Sequence, residues 1–118
     1  MAYRAQELLG EVAEQNGKKA LVAIQENCSP KEAKLLLNEL LKTPDLAVSL
    51  VCSWEGKLCY LLGRSEGSTA DCRFLCDLLG GLLAGKGGGK EAFAQGSAKE
   101  SPGWKETARM LLEHMLRG

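Results

Sequence analysis

At 118 residues the chain fits one domain, and folding at that size buries roughly two-thirds of the surface an unfolded chain exposes, enough for a core without staples. Fifteen basic and fifteen acidic side chains give a formal net charge of zero, so the molecule is not cationic overall and any binding to phosphate has to come from a local patch. The five cysteines are an odd set, three of them in apolar or helical surroundings, which points to reduced thiols and a cytoplasmic setting; there is no export signal and no apolar run near ~18 residues.

From Ala5 the apolar residues Leu8, Leu9, Val12 and Ala13 recur at helical spacing, with Asn16-Gly17 placed as a stop. Residues 1–16 are therefore expected to be a leading helix that continues from an upstream segment, within a single domain over 1–118. The short apolar run Ala20 to Ile24 reads as a strand covered on both faces. Ser29-Pro30-Lys31-Glu32 has the pattern of a capping box, and Ala33, Leu36, Leu37, Leu40 and Leu41 form the stripe of the helix that follows, which Pro44 ends.

Leu46 to Trp54 and Lys57 to Gly63 are rich in strand formers, and Glu55-Gly56 between them fits a two-residue hairpin turn. Ser68 or Thr69 is then expected to cap a third helix whose buried stripe is Leu75, Leu78, Leu79 and Leu82. Gly80-Gly81 conflicts with that helix, since each glycine costs about 1 kcal/mol relative to alanine, and so requires close packing or an approaching ligand. A glycine loop at 85–90 leads to a strand over Ala92 to Gln95, and Ser101-Pro102 opens a last helix with Trp104, Ala108, Leu111, Leu112 and Met115 inward. The order implies an α/β fold: a mixed β-sheet of about four to five strands flanked by four helices.

The loop is the candidate site. Gly85, Gly87, Gly88 and Gly89 leave the backbone N–H groups accessible, and Lys86 and Lys90 supply positive charge, a combination that can cradle phosphate; a plain flexible connection is the alternative. Gly80 to Lys86 has the spacing of a nucleoside-triphosphate loop, but Gly87 stands where a metal-binding Ser or Thr is needed and the segment begins in a helix, so nucleotide hydrolysis is rejected. Phe93, Trp54 and Trp104 can stack on bases, with Trp104 better placed in the core. Arg64, in the turn before the third helix, is a further phosphate contact. Cys72 and Cys76 share a helix face without a second ligand pair, and His114 is a solvated helix residue. No metal, cofactor or catalytic constellation is indicated.

The segment from Leu79 through Gly85-Lys86-Gly87-Gly88-Gly89-Lys90 to Ala94-Gln95-Gly96 resembles the glycine-rich signature of the DHH-associated domain at the C-terminus of alanyl-tRNA synthetases, and the element order is similar from about Glu7 onward. The resemblance implies a module that binds the outer corner of tRNA, with alanine tRNA and the catalytic and editing domains of a parent synthetase as partners, and no membrane. By the same resemblance Gly85, Lys86, Gly87, Gly88, Gly89 and Lys90 form the contact loop, with Gln95 and Gly96 shaping its far side. The related domain beside DHH-type phosphodiesterases usually carries histidine where this chain has Lys90, which favours the synthetase branch. Glu91-Ala92-Phe93 departs from the Pro-Asp-Met common there. The appendix of a free-standing alanyl-tRNA editing protein and self-association into a homodimer through the first helix are the other readings.

Overall fold

The computed structural model describes residues 2–117. Helix α1 (Ala2–Leu9) is followed by strands β1 (Ala13–Gln15) and β2 (Lys18–Gln25), helix α2 (Pro30–Leu40) and strands β3 (Leu46–Trp54) and β4 (Lys57–Arg64). Helix α3 (Cys72–Leu83), strands β5 (Lys86–Gly89) and β6 (Phe93–Lys99), and the short helices α4 (Trp104–Arg109) and α5 (Leu111–Leu116) complete the chain. One six-stranded sheet runs in the order β1-β2-β3-β4-β6-β5, with β2 and β3 parallel and every other neighbouring pair antiparallel.

Several elements form as the local chemistry dictates. At the start of α2, Ser29 Oγ accepts from the Glu32 N–H and the Glu32 carboxylate accepts from the Ser29 N–H, a reciprocal cap, while Pro30 occupies a position whose N–H has no helical partner. Glu55 and Gly56 both take positive φ, 51° and 79°, as the two-residue turn between β3 and β4 requires. The sheet is the middle layer of three. Leu21, Val48, Leu50 and Leu61 pack with α1 and α2 on one face; Val51, Tyr60, Leu62 and Ala94 pack with α3, α4 and α5 on the other.

The structure corrects several expectations. The first helix stops at Leu9, and Ala13–Gln15 is instead a strand paired with β2, Gln15 facing Lys18. Asn16-Gly17, at φ 54° and 79°, is the hairpin turn between them; a helix end and this turn both demand positive φ, so the dipeptide alone does not distinguish them. Helix α3 is capped by Asp71, whose Oδ1 accepts from the Phe74 N–H at 3.2 Å, not by Ser68 or Thr69. Its buried stripe is Cys72, Leu75, Cys76, Leu79 and Leu83, with Leu82 exposed.

The glycine segment, expected as a loop, forms edge strand β5, and β6 extends to Lys99, well past Gln95. The last helix is broken at Met110 into α4 and α5, and α4 starts at Trp104 after Gly103 with φ 77°. The sheet therefore has six strands, more than the expected four to five.

Candidate nucleic-acid interface

The β5–β6 hairpin is held close to its neighbours by small residues. Gly87 lies opposite Gly96 and Gly89 opposite Ala94. A Cβ on Gly87 would overlap the Gln95 carbonyl and Gly96 Cα, and one on Gly89 would stand 2.5 Å from Ala94 Cα. At Gly88 an added Cβ meets nothing within 4 Å.

The hairpin tip is fixed as well: the Glu91 carbonyl accepts from the Cys72 N–H at 2.9 Å and the Ala92 carbonyl from the Arg64 N–H at 3.2 Å. Because the Lys90 N–H donates to the Phe93 carbonyl at 2.8 Å, the antiparallel alternation turns the backbone groups of Gly88 and Lys86 toward β6. Those of Gly87 and Gly89 point outward along the free edge. Among the described residues no strand stands beyond β5 in the sheet.

Three other glycines accommodate Tyr60. A Cβ at Gly80 or Gly85 would lie 2.9 Å from Tyr60 Oη, and one at Gly96 would overlap the ring. Gly80 in mid-helix is thus explained by close packing. Gly81 meets nothing, and the structure gives no reason for it.

Helices cover the α2 face of the sheet only as far as β4. Leu61 is buried beneath α2 while Phe93, Gln95, Ser97 and Lys99, on the same face of β6, are exposed. The register sets out what this open face carries. Trp54, Lys57 and Lys99 form one row; Cys59, Ser97 and Lys86 the next; Gln95 and Gly88 a third, with Phe93 at the far end. Trp54 is 37% and Phe93 38% exposed, so two aromatic rings stand at opposite ends of a surface bearing three lysines. Lys34 of α2 adds positive charge beside it: burial pushes the Cys59 thiol up, and the Lys34 ammonium pulls it down. A cleft of about 310 Å³ opens at the Trp54 end, lined by Pro30, Trp54, Lys57, Cys59 and Ser97 among others.

Of the residues singled out from the sequence, Lys86, Gly88, Phe93 and Gln95 come together on this face, and Lys90 sits exposed at the hairpin tip. Gly87 and Gly89 form the sheet edge, while Gly85 and Gly96 pack against Tyr60. Arg64 lies apart from them: it alternates with the open-face residues of β4, and its Nη1 donates to the Ala70 carbonyl at 2.9 Å on the α3 side. Lys57, Ser97, Lys99 and Lys34 were missed. The signal was present in the alternation of Phe93, Gln95, Ser97 and Lys99 with the small residues Ala94, Gly96 and Ala98, but it needs a seven-residue strand to be seen.

Among the described residues no three His, Cys, Asp or Glu side chains are grouped to hold a metal, and His114 is exposed. All five cysteines are free thiols. Burial pushes Cys72 up to about 11 and the Tyr60 hydroxyl up to about 12, which suits packing groups and not nucleophiles. No helix among the described residues is long and apolar enough to cross a membrane.

No protein-family model matches the chain. An alanine–tRNA ligase from Elusimicrobium minutum is 32% identical over 99 residues, a match that takes in 83% of this chain and 11% of that protein. The chain thus spans about a tenth of the length of this curated relative. In fold it is similar to the C-Ala domain from Aquifex aeolicus alanyl-tRNA synthetase, with a TM-score of 0.77 and 24% identity, covering 91% of this chain and 98% of that one. It is more distantly similar to the DHH domain of a member of the s1p family of ribosomal proteins, with a TM-score of 0.59 and 14% identity over 98% of this chain and 30% of that one. The resemblance read from the glycine signature is therefore borne out: this chain is similar over most of its length to part of an alanine–tRNA ligase and has the fold of the C-Ala domain of alanyl-tRNA synthetase.

Proposed function

We propose that this chain is a tRNA-binding C-Ala domain that serves a parent alanyl-tRNA synthetase, grasping the tRNA elbow while the catalytic and editing domains act elsewhere on the same tRNA. The observation that carries the proposal is the open face of β4, β6 and β5. On a chain of zero net charge, Lys57, Lys86 and Lys99 share one uncovered sheet face with exposed Trp54 and Phe93. Lysines that neutralise phosphates and aromatic rings that stack on bases are the two components of RNA binding by an open sheet. The free edge of β5 adds the outward N–H groups of Gly87 and Gly89, which a phosphate oxygen can approach without meeting a side chain.

A binding titration tests this. The domain is titrated with folded alanine tRNA and with a short unstructured RNA, each at low and at physiological salt. Tighter binding to folded tRNA that weakens with salt is expected. Equal or tighter binding to the short strand would move the reading to a substrate clamp of the DHH phosphodiesterase type, and no binding to either would leave self-association, which sedimentation would detect as a homodimer.

A further inference from the structure

We infer that the cleft between the start of α2 and the β3–β4 turn is a pocket for one unpaired nucleobase, stacked on Trp54 with its phosphate held by Lys57 and Lys99. The inference rests on the tRNA-binding reading but names a subsite at the opposite end of the open face from Phe93 and the glycine edge.

The cleft has a volume of about 310 Å³ and is bounded by Pro30, the Trp54 ring, Leu58, Cys59 and Ser97. A nucleobase is a flat, largely apolar ring with polar edges, and the walls of the cleft match both aspects. The partly exposed indole offers a face for stacking, and Ser97 supplies a hydroxyl at the rim. Charge selects the occupant further. Lys57 lies opposite Trp54 on one side and Lys99 on the other. Lys34 is close enough to act on the Cys59 thiol. Of the lining residues Glu55 is acidic and Lys57 basic, and Lys34 and Lys99 beside the cleft tip its surroundings toward positive charge. An uncharged apolar ligand would gain nothing from the lysines; a base carrying a 5′ or 3′ phosphate uses ring and charge together. Paired bases cannot enter, because their faces are covered by the neighbouring pairs, so the occupant has to be unstacked.

Two tryptophans are present, Trp54 partly exposed and Trp104 buried, so intrinsic fluorescence reports on the cleft. The probe is a short unpaired RNA oligonucleotide, titrated into the whole chain, with folded alanine tRNA in parallel. Quenching of Trp54 is expected; Trp54→Leu and Trp54→Phe both lose that signal, so their affinities are read from labelled RNA, falling roughly tenfold in Trp54→Leu and staying near native in Trp54→Phe. Cys59 is the least buried cysteine, and its alkylation should slow when RNA is bound. That readout needs no substitution and stands even where a Trp54 variant folds poorly. Absence of both quenching and protection at saturating RNA would overturn the pocket. Quenching by the oligonucleotide without preference for folded tRNA would keep the pocket and overturn the elbow reading. Conversely, salt-sensitive binding of tRNA that is unchanged in Trp54→Leu would keep the elbow reading and overturn the pocket.

Discussion

Tyr60 and Gly96 face each other across β4 and β6, and the tyrosine ring occupies the space that a Cβ at Gly96 would need. The ring is fully buried, and its hydroxyl finds no partner among the described residues. The contact locks the β5–β6 hairpin against the body of the sheet and so fixes the position of Lys86 and Gln95. Gly96→Ala should destabilise the domain by about 1–3 kcal/mol, the usual cost of overpacking a core. Tyr60→Phe should leave stability unchanged or raise it, because it removes a buried hydroxyl that has no partner to lose. Urea unfolding of both variants checks this, and an unchanged midpoint for Gly96→Ala would mean that the ring yields easily.

Two adjacent glycines should behave in opposite ways. Gly87→Ala places a methyl against the Gln95 carbonyl and should lower the melting temperature. Gly88 does not have positive φ and opens to solvent on the lysine-bearing face, so Gly88→Val should change stability by no more than about 0.5 kcal/mol. RNA binding should still weaken in Gly88→Val, through the bulk of the new side chain beside Gln95. Thermal melts alongside an RNA titration separate the two effects; a Gly88→Val domain with native affinity would remove this position from the contact surface.

How far the site could be read from the sequence depended on which residues carry their meaning locally. Ser29, Glu32 and Pro30 specify a helix start by spacing alone, and Glu55-Gly56 specifies a turn, so α2 and the β3–β4 hairpin were legible. Asn16-Gly17 was not, because a helix end and a hairpin turn ask the same backbone angle of it. The glycine segment misled for a related reason: its flexibility suggests a loop, whereas in the structure absent side chains let β5 approach Gly96 and Ala94 closely. Lys57 and Lys99 join Lys86 only through the β4–β6–β5 register, which is a long-range property. Arg64 sits on the reverse face for the same reason, one residue of alternation deciding the side of the sheet.

Stability should fall in alkali. Burial raises Cys72 from 9.0 to about 11 and Tyr60 from 10.0 to about 12, and it pushes Cys52 up as well. These groups stay protonated in the folded chain at pH values where the unfolded chain has already released its protons. Their contribution is therefore constant below about pH 9 and is lost as pH rises from there toward about 12, at up to about 1.4 kcal/mol per pH unit for each group in its window. Melting temperatures measured from about pH 8 to about pH 10.5 should be level at first and then decline. A flat profile through that range would mean that the thiols and the phenol ionise without unfolding.

The lysines should divide by face and not by distance along the chain. Lys86→Ala with Lys90→Ala should weaken tRNA binding and leave the melting temperature nearly unchanged, since exposed lysines add little to stability. Lys57→Ala with Lys99→Ala should do the same, although neither residue belongs to the glycine segment. Each lysine that contacts a phosphate should also reduce the slope of log affinity against log salt by roughly 0.7–0.9 when removed. Arg64→Ala provides the contrast: its guanidinium is engaged with the Ala70 carbonyl on the α3 side, so it should cost stability and leave the salt slope intact. If the slope instead drops for Arg64→Ala and holds for Lys57→Ala with Lys99→Ala, tRNA meets the domain on the α3 side and the open face is not the interface.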